Sequence, residues 1–180
     1  MNSKLSTGNP PLVEAIERGQ IQIVRLLIAN NADLEIVNED GCTPLLIAAE
    51  NYRLDIISLL IEKSVNKEVS DKNSMTALHW AAKHGDADFV DLLLSNTTNT
   101  EKKNRDGKTA LYISTELNHR NAVMALVRHG VCVNCKDQDG ITAVHKATLL
   151  GHAEIVSILM DAGATVDGKD DHIAALLDIA

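Results

Sequence analysis

The stretch Thr76–Gly85 reads TALHWAAKHG, and its copies elsewhere in the chain decide the fold. Thr43-Pro44-Leu45 lies 33 positions earlier, Thr109-Ala110-Leu111 lies 33 later, and Thr142-Ala143-Val144 lies 33 beyond that. One step back from Thr43 lands on Pro10-Pro11-Leu12. A fixed period of this size marks a stacked repeat array, in which each unit buries its apolar face against its neighbours.

Each period carries two apolar segments. The first holds Leu12, Ala15 and Ile16, then Leu45, Ala48 and Ala49, then Leu78, Ala81 and Ala82, then Leu111, Ser114 and Thr115, then Val144, Ala147 and Thr148. Spacings of i, i+3 and i+4 mark one face of a helix. Thr43, Thr76, Thr109 and Thr142 stand where a hydroxyl caps the helix start. The second segment is more apolar: Ile23, Val24, Leu26 and Leu27 recur through Ile56–Leu60, Phe89–Leu93, Ala122–Leu126 and Ile155–Leu159. It predicts a second helix, buried by its neighbours. Gly19, Tyr52, Gly85, Asn118 and Gly151 mark the turn between the helices. Asn31, Ser64, Thr97, Gly130 and Gly163 follow the second helix, where a left-handed residue ends it. Gly41, Gly107 and Gly140, each preceded by Asp, mark a further turn leading to the next unit.

Helix, turn, helix and extended turn, repeated every 33 residues, closely resembles the ankyrin repeat family. The family's Thr-Pro-Leu-His-x-Ala core survives as Thr43-Pro44-Leu45, Thr76-Ala77-Leu78-His79 and Thr142-Ala143-Val144-His145. The resemblance implies an all-α solenoid with finger-like loops. It makes His79 and His145 partners of Thr76 and Thr142 in hydrogen bonds that tie a loop to a helix start. The expected organisation is a single domain, 1–180, with units at about 5–37, 38–70, 71–103, 104–136 and 137–169. Residues 170–180 begin a partial unit, and its apolar end suggests a fragment of a longer protein. The fourth unit departs most from the pattern, with Tyr112, Ser114, Thr115, Asn118, Ala122 and Ala125, and is expected to be the softest internal unit.

Composition narrows the function. The formal charge is −8 and the pI about 5.3, which opposes a general nucleic-acid footprint. The hydrophobic fraction of 45% supplies a core, and with aromatics at 2% that core is aliphatic. No run approaches the apolar length of a membrane span. MNSKLSTGNPP carries no apolar leader pattern, so the three cysteines are expected reduced, in the cytoplasm and also the nucleus. The sequon Asn96-Thr97-Thr98 is then idle. No nucleotide-binding loop or catalytic constellation is present, so neither enzyme activity nor a cofactor is expected.

What varies between units while the scaffold repeats is the candidate contact surface. By resemblance, partner proteins bind such arrays at the fingers and the exposed side of the first helices. The candidates are Lys72, Met75, Lys83, His84, Lys103, Arg105, Lys108, Tyr112, Leu117, Ile141, Leu149 and Leu150. KKNRDGK at 102–108, with Lys136 and Lys169 in register with Lys103, predicts a basic ridge for an acidic or phosphorylated segment. Leu117, Ile141, Leu149 and Leu150 predict an apolar anchor beside it. Trp80 is read as core. The expected function is a monomeric scaffold or adaptor that binds a protein or peptide. The alternatives are a regulatory module of a larger ubiquitin ligase, kinase or channel, and a metal or redox site at Cys132 and Cys135, for which His129 lies nearby in sequence and no fourth ligand does.

Overall fold

A computed structural model describes residues 9–95 and 99–166. Ten helices occur among them: α1 Pro11–Glu17, α2 Ile21–Ala29, α3 Pro44–Glu50, α4 Leu54–Glu62, α5 Ala77–His84, α6 Ala87–Leu94, α7 Ala110–Glu116, α8 Arg120–Arg128, α9 Ala143–Leu150 and α10 Ala153–Asp161. Among the described residues there is no strand, only an isolated bridge between Lys136 and Thr142. The segments 170–180 and Asn96-Thr97-Thr98, and also Lys169, lie outside the described residues.

The helices begin and end where the sequence places them. Thr43 and Thr109 cap α3 and α7, with Oγ1 accepting from Leu46 N–H at 3.5 Å and Tyr112 N–H at 3.3 Å. Thr142 departs from this pattern: it has no such capping bond, and its hydroxyl lies 2.9 Å from His145 Nδ1. Thr76 and His79 form the same pair at 2.8 Å, and His79 Nδ1 also accepts from Thr76 N–H. The turn between helices needs a left-handed residue, and Gly19, Tyr52, Gly85, Asn118 and Gly151 all have positive φ.

Two compact units make up the chain, one through Trp80 and one from Ala81. In the first, α1 packs on α2 and α3, and α4 packs on α3 and α2. Leu12, Val13, Ile16, Leu45, Leu46, Ile56, Ile57 and Leu60 are buried there. In the second, α8 packs on α6, α7 and α10, and α9 packs on α7 and α10. Phe89, Val90, Leu93, Leu111, Val123, Leu126, Val144, Ile155 and Leu159 fill that core. Each such side chain contributes roughly 1.5–3 kcal/mol on burial. Burial of the second helix is incomplete in α2. Ile23 is 45% and Leu26 63% exposed, because no described element precedes α1 and α2 to cover that face.

Candidate partner-binding surface

The fingers are built by a side chain that repeats every 33 residues. Asn38, Asp71, Asn104 and Asp137 each turn Oδ1 back to accept two backbone N–H groups, two and four residues on. The backbone then closes on itself: Asn38 N–H donates to Cys42 O, Asp71 to Met75 O, Asn104 to Lys108 O and Asp137 to Ile141 O. Asx side chains make such turns without help from other segments. The left-handed tip is Gly41, Gly107 or Gly140, and Ser74 takes the same conformation at φ +59°.

Neighbouring fingers touch. In the first compact unit, Lys72 N–H donates to Asp40 O, and Lys72 Nζ pairs with Asp40 Oδ1 at 3.1 Å. In the second, Gln138 N–H donates to Asp106 O at 3.4 Å, and Gln138 Nε2 donates to Arg105 O. The helix ends are tied by another repeated position. Arg53 donates to Glu17 O at 2.9 Å, while His119 Nε2 lies 3.0 Å from Lys83 O and His152 Nδ1 lies 3.0 Å from Thr115 O.

This scaffold sorts the candidate residues. Lys72 is exposed and Met75 half-buried on the Asp71 finger. Lys83 and His84 are exposed at the end of α5. Lys103 and Arg105 are exposed, and Lys103 Nζ donates to Lys136 O at 2.7 Å, so the two lysine positions adjoin. Lys108 is not a free cation. Its Nζ lies 2.7 Å from Glu116 Oε2, while Lys146 Nζ reaches Glu116 Oε1 at 3.1 Å. Burial pushes the Glu116 carboxyl up, and the two lysines outweigh this, holding it below the usual carboxylate range. The expected open ridge therefore includes a neutralising acid at its centre.

Tyr112 is also corrected. It is 3% exposed, so its ring offers a partner almost nothing. Burial, followed by a hydrogen bond to Asp137, raises its hydroxyl far above the ordinary value. Lys108 Nζ sits 5.5 Å from the ring centroid. Tyr112 thus supports the knot of charge from beneath.

Apolar surface remains at the ends of the first helices. Leu117 caps α7 and is 45% exposed. Leu149 and Leu150 end α9 at 39% and 45% exposed, and Ile141 is half-buried in the finger before it. Leu117 and Leu150 are equivalent by one 33-residue step on helices that pack together. The His152 tie holds the turn after α9 against the last residues of α7.

The cysteines are placed differently from their sequence neighbour. His129 Nε2 lies 2.8 Å from Asp91 Oδ1, away from any role with the thiols. Cys132 and Cys135 instead meet Glu101, more than thirty residues earlier. Nothing in local sequence signals that partner. Its signal is the repeat register, in which Glu35, Glu101 and Asn134 occupy one position and accept from Asn66, Cys132 and Thr165 N–H respectively.

No helix among the described residues is long and apolar enough to cross a membrane. A family model described as ankyrin repeats, in three copies, matches residues 12–104 and again 81–170. No curated protein matches the chain.

Proposed function

Because the chain belongs to the ankyrin repeat family, whose members are protein–protein interaction modules and typically not enzymes, we propose that it is a non-catalytic scaffold whose partner docks on units three to five. The observation that carries the reading is the trio Leu117, Leu149 and Leu150, left exposed at the ends of two packed helices. Apolar side chains left exposed at the ends of packed helices favour contact with a partner. Lys83, His84, Lys103 and Arg105 supply exposed polar and cationic groups in the same compact unit. They suit an extended segment of acidic or phosphorylated character. Lys108 and Lys146 are balanced by Glu116 and by Asp137, which hydrogen-bonds Tyr112 beside them, so they add no net charge. A surface already held by Asx turns and helix ties needs little ordering on binding, which lowers the entropic cost. The same reading takes residues 1–180 as one array, acting as a monomer in the cytoplasm and nucleus.

The test is proximity labelling with the wild-type chain and with a Leu117→Ser, Leu149→Ser, Leu150→Ser variant whose helical circular dichroism is unchanged. A specific set of partners should be lost from the variant. Identical sets from both chains refute this surface. Lys103→Glu with Arg105→Glu should weaken capture of the same partners and flatten its salt dependence.

A further inference from the structure

The fourth unit's connection carries two substitutions that the array itself does not explain. Cys132 falls in register with Asp33, Asn66 and Asn99. Each of those side chains accepts from the backbone N–H two residues on, at 3.0, 2.9 and 3.3 Å, and so folds its own turn. A thiol is a poor substitute as acceptor. Cys135 falls in register with Ile36, Val69 and Lys102. This unit therefore has two sulfurs where earlier units have a turn-forming oxygen and an Ile, Val or Lys side chain, set on either side of the turn at Val133 and Asn134.

Glu101 completes the group. Its Oε1 accepts from Cys132 N–H and from Thr100 Oγ1, both at 2.8 Å. That oxygen performs the tie seen at Glu35 and Asn134, which is scaffold. The second oxygen, Oε2, faces the Cys135 thiol at 3.2 Å. The two sulfurs and a carboxylate oxygen all lie within 4.8 Å of one another. Two thiolates on one zinc ion, at Zn–S of about 2.3 Å, sit about 3.8 Å apart in tetrahedral geometry. The group thus needs a contraction of about 1 Å at most to close on an ion of that size. Cys132 is exposed, which leaves a route of entry.

We propose that Cys132 Sγ, Cys135 Sγ and Glu101 Oε2 bind one thiophilic divalent metal ion of the zinc class, with water in the fourth position. Each thiol loses its proton to solvent as its metal–sulfur bond forms, and no electron is transferred. Oε1 keeps its hydrogen bond from Cys132 N–H, so the carboxylate is oriented by the scaffold before it ligates. Burial, and then Cys132 and Glu101, push the Cys135 thiol up to about 12. A divalent ion offsets the negative charge that a carboxylate and two thiolates bring together. The site is independent of the leucine surface and can hold while that surface fails.

The reduced, metal-stripped full chain is titrated with Co²⁺ alone and then with Zn²⁺ against a chromophoric chelator. One ion per chain is expected, with thiolate-to-cobalt charge-transfer absorption that Zn²⁺ abolishes. Cys135→Ser should remove the charge-transfer band or weaken affinity roughly tenfold or more. Glu101→Gln keeps an acceptor for Cys132 N–H and should also lose about tenfold, without loss of helical signal. Cys42→Ser, at a buried thiol elsewhere, should bind as wild type. Absence of a one-to-one complex, equal affinity in Cys135→Ser, or a pair that takes no metal after reduction of a disulfide each overturns the assignment.

Discussion

Gly107 and Gly140 stand at equivalent finger tips with nearly equal backbones, at φ +72° and +80°. Their surroundings differ. A Cβ on Gly107 would lie 2.6 Å from Gln138 N and 3.1 Å from Asp137 C, while one on Gly140 would meet nothing among the described residues within 4 Å. Alanine at either site bears the left-handed penalty of about 1–2 kcal/mol. At Gly107 the next finger must also retreat, by about 1 Å to reach ordinary contact. The hydrogen bond from Gln138 N–H to Asp106 O is already 3.4 Å long and would break, as would that from Gln138 Nε2 to Arg105 O. At about 1 kcal/mol net for a typical bond, and less for an exposed one, the excess is about 1.5 kcal/mol. Gly140→Ala should thus lose about 1.5 kcal/mol and Gly107→Ala about 3. For a chain of this size the excess lowers Tm by roughly 3–6 °C further. Urea unfolding followed by circular dichroism measures both. Hydrogen exchange at Gln138 should quicken in Gly107→Ala alone. Equal losses in the two variants would refute the claim that backbone approach between fingers, and not conformation, requires glycine at 107.

Thr115 is fully buried on α7, and its Oγ1 has no hydrogen-bond partner among the described residues. Thr115→Val keeps the shape and should raise stability by about 1 kcal/mol in denaturant melts; a loss would show the hydroxyl is satisfied. The fourth unit should exchange amide hydrogens faster than the third, with Ser114 and Thr115 buried where Ala48, Ala49, Ala81 and Ala82 stand elsewhere. Equal protection would remove that prediction. Asp91 and Glu116 both titrate below their ordinary range. For each, burial is outweighed by paired cations, Arg128 and His129 on one and Lys108 and Lys146 on the other. A depressed folded pKa stabilises above the unfolded value and is lost as pH falls through the folded value. Stability should therefore drop below about pH 4.5, and Glu116→Gln should shallow that slope; an unchanged slope assigns the drop to other groups. Burial and then Asp71 raise the Cys42 thiol to about 11, so an aromatic disulfide reagent should label Cys42 last and exposed Cys132 first. Fast labelling that survives Cys132→Ser would contradict this.

The period and the helix-forming pattern were legible in the sequence because both are properties of single units. Left-handed positions were equally readable: Tyr52 and Asn118, at φ +54° and +59°, take the left-handed conformation of the turn glycines Gly19, Gly85 and Gly151, at +67°, +79° and +72°. The finger side chains Asn38, Asp71, Asn104 and Asp137 stand at the same spacing and carry a signal as regular as that of the Asp-Gly tips. The candidate surface was less readable, because its chemistry depends on which neighbour a long side chain reaches. A run of basic residues at 102–108 does not reveal that Glu116 gathers Lys108 together with Lys146. Nor does Tyr112 reveal that Asp137, one unit on, holds it inside. Glu101 became relevant to the cysteines only when its loop was laid beside theirs.

Among the described residues, the ties between successive units reach to the nearest neighbour along the chain. Glu35 to Asn66 spans 31 residues, Lys103 to Lys136 spans 33, and Arg53 to Glu17 spans 36. Wiring of this range makes the molecule modular in its history as well as its form. Duplication or excision of one 33-residue block, cut at any point in the repeat, rejoins every such tie to an equivalent position. It also keeps loop-closure distances constant as the array lengthens, so an added unit need not slow folding as it would in a fold joined end to end. Length can then change by whole units under selection for reach, while the local code of each unit stays the same.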